Sequence, residues 1–387
     1  MLNKNLINFA AITFPILTIA TTFSLESVHA ADNCTQAAMH TQDALAEKDS
    51  AKAEEMYRKA VELCPASMEM NYNMGILLLN KNDAKGATLY LEKALQIKDK
   101  PSIRLALGRA KMSLGDDQEG RKDVEASVQK NSDNPEALKT FGVFLLREER
   151  FSEAVKTFKR AAELDPKDAT TFQNLGVALS KLEQNDEALK AYQKSLAIDQ
   201  KQFDVLMNVA ILQKKIGAYD EAIKYLDAAK GLDPKSEEVF KEFVKVYNKQ
   251  GDSAKEEAAL AEFFALGKKD GELGLRYGQV LLKNKKYDEA IKHLQDVISL
   301  DGTNAKAYLA LGWAKIETGK LKEAQSALQS AISYDPSNAL ANNNLGIVYM
   351  RQGDAVSAKR FFEKALYLNP SLSSAKENLE NLKTGSK

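Results

Sequence analysis

The chain has 387 residues with 54 Lys+Arg against 54 Asp+Glu, so it carries no net positive field to draw nucleic acid or an anionic membrane surface, and neither is an expected partner. Its 44% apolar content, its eight prolines and the prevalence of Ala, Leu, Lys and Glu favour helix over strand. Three histidines and two cysteines are too few for most histidine-based metal or haem chemistry, and no cofactor or metal is expected.

Residues 1–30 read as an export signal. Lys4 supplies the positive start, an apolar stretch runs from Leu6 to Leu25, and Val28-His29-Ala30 forms a small-residue cleavage site, so the mature chain is expected to begin at Ala31. An apolar run of this length can also span a bilayer as an uncleaved anchor; Pro15, Asn8 and the threonines within it favour cleavage, and no stable membrane insertion is expected afterwards. Either way the bulk of the protein is expected outside the cytoplasm, in a bacterial periplasm. Cys34 follows the intervening Ala31-Asp32-Asn33, where an acid stands in place of the small residue a lipid-anchoring motif needs, so acylation is not expected. Removing the signal takes away Lys4 and Glu26 together and leaves His40 and His293 as the histidines of the mature chain.

Beyond this segment an internal period governs the sequence. Gly108, Gly142 and Gly176 are spaced by 34; Ala210 and Val244 continue the register, and Gly278, Gly312 and Gly346 resume it, with Gly75 one residue out of step. Twelve residues after each comes a small residue in most units: Ala87, Gly120, Ala154, Ala188, Ala222, Ala290, Ala324 and Ala358. Pro65, Pro166, Pro234, Pro336 and Pro370 close several units. The fullest unit contains "LKTFGVFLLREERFSEAVKTFKRAAELDP", residues 138–166, in which Leu138, Phe141, Gly142, Leu145, Ala154, Phe158, Ala161 and Pro166 hold positions 4, 7, 8, 11, 20, 24, 27 and 32.

This pattern resembles the tetratricopeptide repeat family, whose unit is a helix-turn-helix. In its register ten units start at Cys34, Met68, Pro101, Pro135, Ala169, Phe203, Glu237, Gly271, Ala305 and Ala339, all of 34 residues but the second, which has 33, and cover residues 34–372. Residues 373–387 then supply a C-terminal capping helix and tail. The spacing has a physical reason. Apolar residues at positions 4, 7 and 11 stripe the first helix, those at 20, 24 and 27 stripe the second, and small residues at 8 and 20 let the two approach. Proline at 32 ends the second helix. One hairpin cannot cover its own apolar face, so units stack. The expected fold is all-α, and the resemblance implies a right-handed superhelical solenoid with first helices lining the concave side. The unit at Glu237 departs most, with Val244, Glu256, Phe263 and Lys268 at positions 8, 20, 27 and 32. Together with the glycines of "FFALGKKDGELG", this marks either a joint near residues 256–274 or a unit that packs normally with adjusted side chains.

In this register Cys34 and Cys64 take positions 1 and 31 of the first unit, at the open mouth of one hairpin, where an exported chain is expected to oxidise them to a structural disulfide; unpaired thiols are the competing reading. No C-x-x-C pair, Walker-type phosphate loop, G-x-S-x-G elbow or H-E-x-x-H motif occurs, and the repeats leave no room for a catalytic domain, so enzymatic activity is not expected. Binding is the expected role. The resemblance implies a concave surface built from positions 2, 5, 6, 9, 12 and 13. Position 6 is asparagine at Asn73, Asn174, Asn208 and Asn344, a side chain that in relatives contacts the backbone of an extended peptide because it donates and accepts at once; the bland reading is a solvated helix residue. Trp313, at position 9, is either an exposed anchor for a partner or a filler between first helices. Arg109, Lys139, Lys245 and Arg276 are expected to give the groove positive character. A family clamp for C-terminal carboxylates is incomplete: Lys139 and Asn174 match it, while Val143, Asp204 and Asn208 depart. The expected function is an exported scaffold that binds proteins or peptides and assists assembly of a cell-envelope complex for a pilus, secretion, polysaccharide export or the cell wall. An adaptor subunit of a separate enzyme is one alternative, and a carrier of a small ligand or metal a weaker one.

Overall fold

In a computed structural model of the chain, residues 28–384 are described. The expected export segment therefore lies outside the described residues, apart from Val28-His29-Ala30, which open the first helix. Every regular element among the described residues is an α-helix. The chain divides into two compact units between Val205 and Leu206.

The first unit contains five antiparallel pairs. These are α1 (Val28–Ala46) with α2 (Ser50–Leu63), α3 (Met68–Asn80) with α4 (Ala84–Ile97), α5 (Pro101–Ser113) with α6 (Asp117–Lys130), α7 (Pro135–Arg147) with α8 (Phe151–Leu164), and α9 (Ala169–Lys181) with α10 (Asn185–Ile198). The second holds most of α11 (Phe203–Lys215) and α12 (Tyr219–Leu232), then α13 (Glu237–Gln250) with α14 (Ser253–Ala265), α15 (Gly271–Lys283) with α16 (Tyr287–Leu300), α17 (Ala305–Glu317) with α18 (Leu321–Tyr334), and α19 (Ala339–Arg351) with α20 (Ala355–Leu368). α21 (Ser373–Thr384) closes it as the expected capping helix. First helices begin at the repeat starts read from the period, except that α1 begins ahead of Cys34, since neither proline nor glycine interrupts Val28 to Asn33.

The glycine at position 8 does more than make room for a small residue at 20. A Cβ added at Gly142 would lie 2.6 Å from Phe158 Cε1, at Gly176 2.5 Å from Tyr192 Cε1, at Gly312 2.6 Å from Leu328 Cγ, and at Gly346 2.6 Å from Phe362 Cδ1. The partner is each time the residue at position 24, fully or almost fully buried. One missing methyl on the first helix thus receives a large buried side chain of the second, and the interhelical distance is set there.

The turn between paired helices repeats with equal strictness. Position 15 is left-handed in nine units, as Gly115, Gly217, Gly251, Gly319 and Gly353, but also as Asn82, Glu149, Glu183 and Lys285. After it, the next backbone N–H reaches back to a carbonyl of the first helix's last turn, as Arg150 N does to Leu145 O at 2.8 Å and Asp354 N to Tyr349 O at 2.9 Å. This is the cap that a left-handed residue permits at a helix end. Many helices start on a side-chain cap: Asp49, Ser67, Asp83, Asn134, Asp168, Ser236, Asp270 and Asn338 each accept a backbone N–H of the first turn.

Cys34 and Cys64 form a disulfide, with Cα atoms 5.0 Å apart, joining α1 to the cap of α2 as the register implies. The irregular repeat at Glu237 is closed inside. Val244, Glu256 and Phe263 are buried, and Phe240 meets Phe263 edge to face at 5.8 Å. Lys268 pairs with Glu237 at 3.5 Å, tying the end of this repeat to its beginning.

Candidate functional site

The expected partner-binding residues all lie on first helices, four in the first compact unit and five in the second. In the first, Asn73 on α3 is 1% exposed, and neither its Nδ2 nor its Oδ1 has a hydrogen-bond partner. Its neighbour Tyr72 is buried, which raises its phenol pKa, against a bond to Ser102 that lowers it. Arg109 on α5 is half-buried, and burial pulls its guanidinium pKa down while Glu136 and Tyr72 hold it up. On α7, Lys139 is buried between two carboxylates, Glu136 at 3.0 Å and Asp168 at 2.9 Å. Asp168 also accepts from Thr171 Oγ1 at 2.6 Å and from the Thr170 N–H. Burial raises its pKa, but these donors and the Lys139 ammonium outweigh that and leave it lowered. Asn174, on α9, is buried.

In the second unit Asn208 on α11 is 8% exposed, and its Nδ2 is buried without a partner. Lys245 on α13 is exposed and bonds Glu242 at 2.7 Å; the buried Glu242 also binds Lys214. Arg276 on α15 grips Glu256 with two bonds, at 2.5 and 2.9 Å. Trp313 on α17 is half-buried and packs on the cluster of Ile316, Leu328, Leu345 and Val348. Asn344, half-buried on α19, accepts a bond from the Asn343 amide at 3.4 Å.

These faces are therefore polar but close to neutral. Lys139, Lys245 and Arg276 are each engaged by a carboxylate of the same unit, which reduces what they offer an incoming anion. Sequence reasoning missed those carboxylates because Asp168, Glu242 and Glu256 follow no shared repeat position. Asp168 carried a signal as an acid immediately before a first helix, and Glu256 one as a departure at position 20, but neither pointed to its cation. No group of three or more residues suited to hold a metal ion occurs among the described residues, and none of their helices is long and apolar enough to cross a membrane.

Three family models, each described as tetratricopeptide repeat, match residues 179–241 with 281–331, 309–373 and 133–201, together more than half of the chain. No curated protein matches. Among solved structures, one from a functional characterization of Pseudomonas aeruginosa PilF is 20% identical, covering 57% of this chain and 98% of that one with a TM-score of 0.48. YrrB, described as a TPR protein with an unusual peptide-binding site, is 21% identical over 58% of this chain and 99% of its own, with a TM-score of 0.33. A tetratricopeptide repeat protein from Parabacteroides merdae is 16% identical over 73% of this chain and 98% of its own, with a TM-score of 0.38.

Proposed function

The chain belongs to the tetratricopeptide repeat family, a family of protein–protein interaction scaffolds, and we propose that its first-helix faces bind extended segments of partner proteins. One observation carries this reading: asparagine recurs at position 6, and at Asn73 and Asn208 the carboxamide keeps unpaired polar atoms although it is buried. A sequestered amide without a partner costs about 1–3 kcal/mol, a burden that folding alone gives no reason to keep. A strand-like peptide backbone offers the donor and acceptor that Asn73 lacks and the acceptor that Asn208 Nδ2 lacks, whatever its side chains.

The protein acts in this reading as an exported, periplasmic scaffold without chemistry of its own, assisting assembly of an envelope complex. The export-type N-terminus supports the location. Trp313 supplies an aromatic anchor on a first helix of the second unit, although part of its surface is committed to the core.

Crosslinking in the native compartment, followed by identification of the trapped proteins, tests this. Asn208→Ala with Trp313→Ala is expected to abolish capture, and Asn208→Ala alone, which removes an Nδ2 that bonds nothing, to weaken it without lowering thermal stability. Undiminished capture by both variants places binding elsewhere and refutes the proposal. N-terminal sequencing of the exported protein should find Ala31 first.

A further inference from the structure

The first compact unit holds a cavity of about 340 Å³. Thr170 and Gln173 of α9 line one side, Asp199 and Gln202 of the following connector another, and Phe203 at the opening of α11 a third. With about 30 Å³ for each liquid water, the space corresponds to roughly ten waters, room for one side chain but not for a folded segment.

Two glutamines on this wall stand in opposite conditions. The Gln202 carboxamide is used up: it donates to the carbonyls of Ser195 at 3.0 Å and Asp199 at 2.7 Å, and its own oxygen accepts from Ser195 Oγ at 3.1 Å. The carboxylates are engaged as well, Asp199 by the Lys201 N–H at 2.9 Å and Asp204 by an interaction within the chain. Gln173 differs. It is 5% exposed, borders the cavity, and has no hydrogen bond to any described residue. Its amide thus brings an unmet donor and an unmet acceptor to the cavity. Thr170 lies one turn earlier on the same face of α9, and the half-buried Phe203 ring adds an apolar surface. A group that meets both halves of Gln173 must itself donate and accept across a short span. A carboxamide does so through a reciprocal pair of N–H···O=C bonds; an ammonium or guanidinium serves only the oxygen and a carboxylate only the NH₂, and each leaves the other half dry and unpaired.

We propose that this cavity takes the side-chain carboxamide of a glutamine or asparagine on a partner protein, paired with the Gln173 carboxamide and with its methylenes against Phe203. The proposal rests on the peptide-binding reading for its partner, but not on the asparagines that carry that reading. The free amino acids present the same group, so the test separates the two sources.

Nα-acetyl N-methylamides of glutamine and asparagine, the norleucine, glutamate and lysine analogues, and free glutamine and asparagine are titrated into the mature chain, and amide chemical shifts of residues 170–173 and 199–204 are followed. At least one carboxamide probe should shift these amides saturably, and at least tenfold more tightly than the norleucine, glutamyl and lysyl probes. Gln173→Met, close in shape and without the amide, should weaken that probe at least tenfold, about 1.4 kcal/mol, and leave exchange protection of α9 unchanged, since Gln173 bonds nothing in the chain. Norleucine, glutamyl or lysyl probes that bind as tightly as the carboxamide ones, or unchanged affinity in Gln173→Met, overturn the site; the comparison among probes holds on the unaltered chain whatever the variant does. Tighter binding of a free amino acid than of its capped form overturns the assignment to a protein partner. Since the titration needs no captured partner, failure of the crosslinking experiment leaves its outcome readable.

Discussion

Replacing Gly142 by alanine adds one methyl where the structure has room for none. The new Cβ would stand 2.6, 2.7 and 3.0 Å from Phe158 Cε1, Cζ and Cδ1, and the Phe158 ring is fully buried, so it cannot swing into solvent. Overpacking of this kind costs about 1–3 kcal/mol, while alanine in place of glycine within a helix returns about 1 kcal/mol. A ring hemmed on every side argues for the upper part of the range, giving a net loss of about 2 kcal/mol. Gly231, near the end of α12, supplies the control. An added Cβ there meets nothing within 4 Å, so Gly231→Ala should stabilise by about 0.5–1 kcal/mol. Repeat arrays can lose two-state behaviour, so the effect is best read locally, by hydrogen exchange of α7 and α8 against α12, alongside urea unfolding. In a Phe158→Ala background the Gly142→Ala penalty should largely vanish, a coupling of about 1–2 kcal/mol. If Gly142→Ala is as harmless as Gly231→Ala, the contact between glycine and ring does not set the helix spacing, and the account of repeat packing given above is wrong.

Four further outcomes can be measured. Cys34→Ser with Cys64→Ser opens a loop with a sequence separation of 30, for which chain entropy predicts a loss of about 3–4 kcal/mol, read as lost exchange protection in α1 and α2; unchanged protection would mean the repeat holds without its staple. Arg276→Ala should cost about 3–5 kcal/mol by urea unfolding, because it strands the buried Glu256 carboxylate, whereas Glu256→Ala frees a half-exposed arginine to water and should cost clearly less; equal costs would contradict the asymmetry. Glu149→Gly, at a left-handed turn with φ 59°, should stabilise by about 0.5–1 kcal/mol, and a loss would show that strain there is negligible. His293 lies tilted against the rings of Tyr277, at 4.4 Å, and Phe264, at 5.6 Å, and burial lowers its pKa, aided by Lys292 and opposed by Asp296 and Glu289. Its folded-state pKa lies below the unfolded value of about 6.5, so protons favour the unfolded chain: stability should fall as pH drops through that value toward the folded pKa, and His293→Phe should flatten urea midpoints measured across that interval.

The period, the all-helical class and the hairpin disulfide were legible because each depends on residues at fixed spacing: glycine or alanine at positions 8 and 20, proline at 32, and two cysteines at the ends of one unit. Contacts made by chemically varied partners were not. Position 15 recurs in nine units, yet Asn82, Glu149, Glu183 and Lys285 stand among its glycines and obscure the turn. The seat for the position 8 glycine is filled by leucine, valine, tyrosine or phenylalanine, so only the apolar stripe was visible and not the pairing. Glu256 reads as a fault at position 20 until Arg276, one repeat later, is seen to hold it. In the same way Lys139 reads as a groove cation until Asp168, the cap of the next first helix, takes it.

The short second repeat shows where such a chain tolerates editing. Its helices, Met68–Asn80 and Ala84–Ile97, keep the 13 and 14 residues usual in the array, so the missing residue has come out of the link Lys98–Lys100, ahead of the proline that restarts the helix at Pro101. Each rod's length is fixed by the neighbour it must match, while the splice between rods bears a change in count. Deletions or grafted loops confined to those splices should leave the remaining blocks in phase, which makes them the natural places to insert a reporter or lengthen the protein by whole blocks.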